Sequence, residues 1–130
     1  MENIGSTGIK RGDVFWADLG FRDPESTESH IQTGYRPVVV VQNNTGCFFS
    51  ETLSVIPLTA RLKKLNQPTH YILKHTPFLK RKSMAIAEQV VTVNKRQLSG
   101  YLGSLSTEDM EGVDTALKIQ LGILNEEGGA

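Results

Sequence analysis

The sequence carries one cysteine, Cys47, in 130 residues. A single thiol excludes an internal disulfide and any multi-thiolate metal site. Cys47 reads as a small buried or half-buried filler rather than a nucleophile. No apolar run approaches the roughly 20 residues that span a bilayer. Met1 to Gly8 lacks the apolar centre of a signal peptide. These absences point to the cytoplasm and to no membrane partner. A Gly-rich phosphate loop is missing, as is a Gly-x-Ser-x-Gly nucleophile elbow. His30, His70 and His75 stand at no metal-ligand spacing with acids or with Cys47. No metal and no cofactor is therefore expected, and His70 and His75, flanking a strand, read as surface or rim residues.

Net charge is also missing: 14 Lys and Arg balance 14 Asp and Glu. That argues against a bulk electrostatic nucleic-acid binder, but the distribution is uneven. Between Ser29 and Leu105 the only acids are Glu51 and Glu88. Ten bases share that stretch: Arg36, Arg61, Lys63, Lys64, Lys74, Lys80, Arg81, Lys82, Lys95 and Arg96. The acids gather instead at Asp23, Glu25 and Glu28, and from Glu108 to Glu127. A neutral chain with a basic middle suggests one face made for an anionic partner, the alternative being scattered solvated charge.

What is present centres on Gly34-Tyr35-Arg36-Pro37-Val38-Val39-Val40-Val41-Gln42-Asn43. Four valines between Pro37 and Asn43-Asn44 predict a central strand buried on both faces. Proline disfavours the helical region for the residue before it, so Arg36 is expected to be extended and fixed in direction at the strand's mouth. Val14 to Leu19 reads as a first strand. Gly20 to Thr33 is a polar loop of about 14 residues, a length usual for functional or mobile segments. Gln42 to Gly46 is a turn cluster. Further strands are expected at Thr52 to Leu58, Thr69 to Leu73, Ser83 to Val93 (broken near Glu88-Gln89) and Gly100 to Leu105. Pro57 implies an edge position or a bulge. Asn94 to Leu98 suggests a short helical turn.

One clear helix starts at Ser106, an N-cap followed by Glu108 and Asp109. Met110, Val113, Leu117, Leu121 and Leu124, widened by Ala116, Ile119 and Ile123, form its core-facing stripe. The expected fold is mainly β with a C-terminal α-helix: a small, partly open SH3-like barrel with the helix packed on it. A single domain at residues 9–124 is expected, with tails at 1–8 and 125–130.

The remaining inventory is Arg36, the hydroxyl of Thr59, flanking bases and a long loop. It suits RNA cleavage by the substrate's own 2′-hydroxyl. The protein then aligns that group, stabilises charge on the phosphate oxygens and protonates the leaving 5′-oxygen. A guanidinium suits bidentate phosphate contact, and a threonine hydroxyl can donate to a nonbridging oxygen. DNA, without a 2′-hydroxyl, would be inert. Candidate RNA-binding residues are Tyr35, Arg61, Lys63, Lys64, Lys80 and Arg81. Phe15, Trp16, Tyr35, Phe48 and Phe49 could stack single-stranded bases, Tyr35 first because it adjoins Arg36. His30 is a candidate acid or base, since histidine can titrate near neutrality; the alternative is an exposed loop residue.

An ordered series of segments resembles the MazF/PemK family of bacterial toxins. They are Lys10 to Leu19, Gly34 to Asn43, Ile56-Pro57-Leu58-Thr59-Ala60, Pro68-Thr69-His70, Ala87 to Val93 and Asn94 to Leu98. The resemblance covers about residues 9 to 124. It implies a toxin of a type II toxin–antitoxin system, of MazF/CcdB-type barrel fold. Such a toxin is a metal-independent endoribonuclease that cuts single-stranded mRNA at short sequences, leaving 2′,3′-cyclic phosphate and 5′-hydroxyl ends. It further implies a homodimer and a small MazE-like antitoxin. By position, Arg36 and Thr59 match the catalytic pair, Gln89 a residue at the RNA groove, and Gly20 to Thr33 the loop that closes over RNA, here longer than is common. Arginine is an awkward base because a guanidinium is not deprotonated in proteins, so Arg36 fits better as charge stabiliser and donor to the leaving group. Two alternatives use neither residue: a CcdB-like non-catalytic toxin that binds DNA gyrase, and a non-catalytic barrel serving as an interaction module.

Overall fold

The computed structural model describes residues 8–20 and 32–125. In chain order the elements are β1 (Asp13–Asp18), β2 (Tyr35–Val40), α1 (Asn44–Phe49), β3 (Thr52–Thr59), β4 (His70–Ile72), β5 (Met84–Ile86), β6 (Val91–Asn94), β7 (Leu98–Ser104) and α2 (Thr107–Gln120). Tight 3-10 turns occupy Ala87–Gln89 and Lys95–Gln97. The strands form an antiparallel sheet in the order β4-β5-β3-β2-β1-β7, with β6 also pairing with β3.

The valine run explains the architecture. β2 lies between β1 and β3, so neither of its edges is free. Side chains alternate along a strand, and here both faces are buried. Val38 and Val40 join Phe15, Ala17, Leu53, Val55, Val93 and Leu98. Inward residues from five strands converge there, which makes it the inside of a barrel. Val39 and Val41 face the other way, toward Ile56, Leu58, Leu73, Ala85 and the α2 residues Val113 and Ala116. Each fully buried valine is worth about 2 kcal/mol of apolar transfer. The chain is mainly β with a C-terminal helix, as the hydrophobic pattern predicts.

Three expectations need correction. The stretch after β2 is not only a turn: α1 forms there because the Asn43 side chain accepts the Gly46 N–H (2.7 Å) as an N-cap. The helix buries Cys47 in the barrel, where burial pushes the thiol's pKa up. Pro57 marks neither an edge nor a bulge, since β3 is internal. On the side away from β2, β3 changes partner from β6, ending at Val55↔Val91, to β5, beginning at Leu58↔Ala85. Pro57 falls in that gap, where no ladder bond is required of it. Finally, α2 ends at Gln120, and Leu121 and Ile123 are exposed rather than core-facing.

The stems of the first loop close on each other: Leu19 N–H donates to Gly34 O (2.9 Å) and Gly34 N–H to Gly20 O (2.7 Å). Both glycines have positive φ (93° and 75°), which lets the chain turn out of β1 and back into β2. Residues 21–31 of the loop between them, including His30, and most of both expected tails lie outside the described residues.

α2 is held by charge as well as by its apolar face. Arg11 and Asp114 form a two-point ion pair (2.9 and 2.5 Å). Asp109, in the first turn, is fully buried. Its carboxylate accepts the backbone N–H of Lys74 (3.0 Å) and His75 (2.8 Å) and the hydroxyl of Tyr71 (2.9 Å). Burial opposes its ionisation, but these donors outweigh burial, so the Asp109 carboxyl lies below its ordinary value. Burial, together with that carboxylate, pushes the Tyr71 phenol up. The Tyr71 ring lies against Gly112, where a Cβ would run into it; the missing side chain is what lets α2 seat on β4.

Asp109→Asn leaves two buried backbone donors poorly matched and is expected to cost about 3 kcal/mol in urea denaturation. Because the carboxyl is depressed in the fold, its contribution is full above about pH 4 and is lost as pH falls through the folded value. The Asn variant should therefore lack part of the wild-type slope of stability against pH in the acid range.

Candidate active site

The register of the sheet assembles the site. β2 and β3 pair as Val38↔Pro57, Val39↔Ile56 and Val40↔Val55. Carried two residues further, that register sets Arg36 opposite Thr59, and period-2 alternation puts both on one face. They line one cavity of about 330 Å³. Its floor is Met84 and Ile86 of β5, the former paired with Thr59 and the latter with His70 of β4. Arg61, Lys63 and Lys64 stand on the rim, and Gln32, Glu88 and Gln89 complete the wall.

Each functional group is fixed by its neighbours. Arg36 is half-buried and donates its Nε–H to Thr33 O (2.9 Å). Its terminal amino groups have no partner among the described residues, and so can bind an anion. Thr59 is 5% exposed, and its Oγ1 accepts the Arg61 N–H (3.1 Å). With that lone pair engaged, the hydroxyl proton is available to donate. Lys64 is the one described non-glycine residue with positive φ (50°). Its carbonyl accepts the Gln67 N–H (3.0 Å) and lies 3.2 Å from His70 Nδ1. The strained turn is thus tied down on both sides, and it aims a row of bases at the cavity.

The one acid in the wall among the described residues is also held. Glu88 Oε1 accepts the Thr69 hydroxyl (2.8 Å), is bonded by the Gln67 amide, and lies 3.0 Å from His70 Nε2. The His70 side chain is only 8% exposed. With Arg36, Arg61, Lys63 and Lys64 against one tethered carboxylate, the cavity favours an anion. A guanidinium beside a hydroxyl donor, in a half-enclosed cationic pocket, can take a phosphodiester and stabilise added charge on its oxygens.

Of the residues singled out from the sequence, Arg36, Thr59, Arg61, Lys63, Lys64 and Gln89 share this cavity. Tyr35 does not. It precedes Arg36 on the strand, so it leaves from the opposite face, and it is 65% exposed across from Asp18. Lys80 and Arg81 are exposed in the β4–β5 connection and line no part of the cavity. Phe15 is core. Trp16, Phe48 and Phe49 are exposed away from the cavity, the last two packed edge to face on α1. His30 lies outside the described residues. Sequence reasoning gave Gln32 and Glu88 no role in the site and read His70 as a surface or rim residue, whereas its side chain is only 8% exposed in the cavity wall. For His70 a signal existed: it stands two residues from Ile72 on a short strand, the spacing of one sheet face.

A family model described as PemK-like, MazF-like toxin of type II toxin–antitoxin system matches residues 10–121. Among solved structures, the chain is similar to an endoribonuclease in complex with its cognate antitoxin from a mycobacterial species. The two are 25% identical, over 88% of this chain and 96% of that one, with a TM-score of 0.73. It also resembles MazF from Deinococcus radiodurans (19% identity, 88% and 96% covered, TM-score 0.69). A MazE–MazF structure from the same organism aligns at 19% identity over 88% and 96%, with a TM-score of 0.67.

Glu88→Ala removes the acceptor that Gln67 and Thr69 share, and the carboxylate beside His70. Hydrogen exchange at the Gln67 amide is expected to quicken by about tenfold, with global stability lowered by only about 1 kcal/mol. Unchanged exchange there would show that the basic turn does not depend on this carboxylate.

Proposed function

Since this chain belongs to the PemK-like, MazF-like toxins of type II toxin–antitoxin systems, we propose that it arrests translation by cutting single-stranded mRNA. It does so as a metal-independent endoribonuclease with Arg36 and Thr59 as its catalytic pair. The observation that carries this reading is the pairing itself: a guanidinium and a free hydroxyl proton opposite each other in a cationic cavity.

The reaction is an in-line transfer within the substrate. The 2′-hydroxyl oxygen bonds to phosphorus as its proton leaves, and the bond from phosphorus to the 5′-oxygen breaks as that oxygen gains a proton. The products are a 2′,3′-cyclic phosphate and a 5′-hydroxyl. Arg36 meets the nonbridging oxygens through its terminal amino groups, where charge grows in the transition state, and stands ready to donate to the departing oxygen. Thr59 donates its hydroxyl proton to a nonbridging oxygen. His30 remains the candidate to accept the 2′ proton. Arg61, Lys63 and Lys64 hold flanking phosphates, and Gln89 contacts the RNA beside them. Tyr35, Lys80 and Arg81 have no part in this cavity; a role for them requires a longer RNA track or a second subunit.

A single barrel offers a shallow half-groove, so the active form is a homodimer, and a MazE-like antitoxin with an acidic segment competes with RNA for the basic rim. No described helix is long and apolar enough to cross a membrane, and mRNA as substrate puts the protein in the cytoplasm. The gyrase-binding and interaction-module alternatives need neither Arg36 nor Thr59, and no observation on this chain favours them.

The test is cleavage of a long single-stranded RNA in excess EDTA, with the cut ends mapped. Wild type is expected to give discrete cuts ending in cyclic phosphate. Arg36→Ala should lose about a thousandfold in rate and Thr59→Val about a hundredfold, both folded by circular dichroism. A 2′-deoxy nucleotide on the 5′ side of a cut site should abolish that cut alone. Folded, antitoxin-free wild type that cuts nothing, or an Arg36→Ala variant that cuts normally, would refute the assignment.

A further inference from the structure

Beside the Arg36–Thr59 cavity lies a second one of about 140 Å³. The two share Gln32 and Gln89 as a common wall. We propose that this second cavity seats one pyrimidine base of the RNA, on a nucleotide adjoining the phosphate that is cut. The proposal rests on the ribonuclease reading above.

Position is the first argument. Pro57 lines the second cavity and Thr59 the first. Two residues apart on β3, they share a face and are separated by about 7 Å. A base and a phosphate of the same or the next nucleotide span such a distance. An RNA held at Arg36 and Thr59 thus brings one of its bases to this opening.

Size and lining are the second. Leu19, Pro57, Val91 and Val93 give the cavity apolar walls, which suit the faces of a ring. An apolar cavity of about 150 Å³ takes a benzene ring, so one six-membered ring fits here and a bicyclic purine overfills the space. Gln97 is a rigid part of the wall. Its Oε1 accepts the Asn94 N–H (2.7 Å) and its Nε2 donates to Asp18 O (2.9 Å).

The third argument is a polar atom without a mate. The side-chain oxygen of Gln32, which lines both cavities, is buried with no hydrogen-bond partner among the described residues. Gln32 is anchored through its backbone, whose N–H donates to Gln89 Oε1 (2.7 Å). A buried carbonyl oxygen left without a donor is costly and uncommon. The imino N–H of uracil or the amino group of cytosine supplies that donor.

The test is digestion of a randomised single-stranded RNA library, reading nucleotide frequencies at every position around the cuts. Wild type is expected to prefer a pyrimidine at one position adjoining the cut. Gln32→Leu should weaken that preference about fivefold or more, with other positions unchanged. Val91→Phe, which fills the cavity from a partly exposed site, should weaken it too. A purine or no preference at the adjoining positions in wild type overturns the subsite while leaving the ribonuclease intact. So does an even loss in both variants at all positions. If wild type cuts no RNA, the ribonuclease reading falls and the subsite with it.

Discussion

The site depends on the pairing register of β2 with β3. Side chains repeat every two residues along a strand, so a slip of one position would turn every side chain to the other face. Here a slip is forbidden twice over, because β2 has an apolar core on each side. Such a slip would leave Val38 to Val41 facing the wrong partners and would carry Arg36 away from Thr59. The rigidity that the proposed phosphoryl-transfer site requires therefore comes from valines that lie outside the cavity. Preorganised donors lower a barrier because they need not reorient as charge develops, and this sheet is what holds them in place.

Against that rigid pair and the β5 floor, the basic rim of the cavity is built from a turn, and it is tied by hydrogen bonds. Lys64 in a left-handed conformation, His70 beneath it and Glu88 behind His70 form one chain of contacts. Its effect is to present Arg61, Lys63 and Lys64 together. Flexible cations on a disordered loop would lose more entropy on binding than the same cations on a fixed turn. The Glu88 carboxylate in the cavity wall thus has a structural reason to be there, although it reduces the local positive charge.

Much of this was legible in the sequence, for reasons that differ by element. The valine run, the N-cap at Ser106 and the break at Glu88-Gln89 are local signals, and local signals survive folding. Arg36 and Thr59 were legible as residue types and by family resemblance, but their approach was not, since register is a long-range property. Tyr35 misled because nearness in sequence is not nearness in space: neighbours on a strand face apart. α1 was hidden by a turn-like composition whose Asn43 serves as a helix cap. Asp109 read only as a first-turn acid that complements the helix dipole. Only the partners brought from Tyr71, Lys74 and His75 make it a buried anchor. Gln32 and Glu88 had no sequence signal at all, because their roles are set by which strands and turns meet.

The placement of acids explains how a neutral chain keeps a cationic cavity. On α2, Asp109 is taken up by backbone amides and Tyr71, and Asp114 by Arg11. The His75 hydrogen bond, with Lys74 nearby, draws the Glu108 carboxyl below its ordinary value. None of these three acids lines the cavity. Each is committed to joining α2 to the strands or to the N-terminal segment, so none is left to neutralise Arg36 or the bases of the rim. Zero net charge is then compatible with anion binding, because these acids of α2 are engaged away from the cavity. A ligand approaching the rim meets a field set by the nearest unpaired cations. An acidic competitor would be drawn there for the same reason as RNA, which ties inhibition of the site to its catalytic electrostatics.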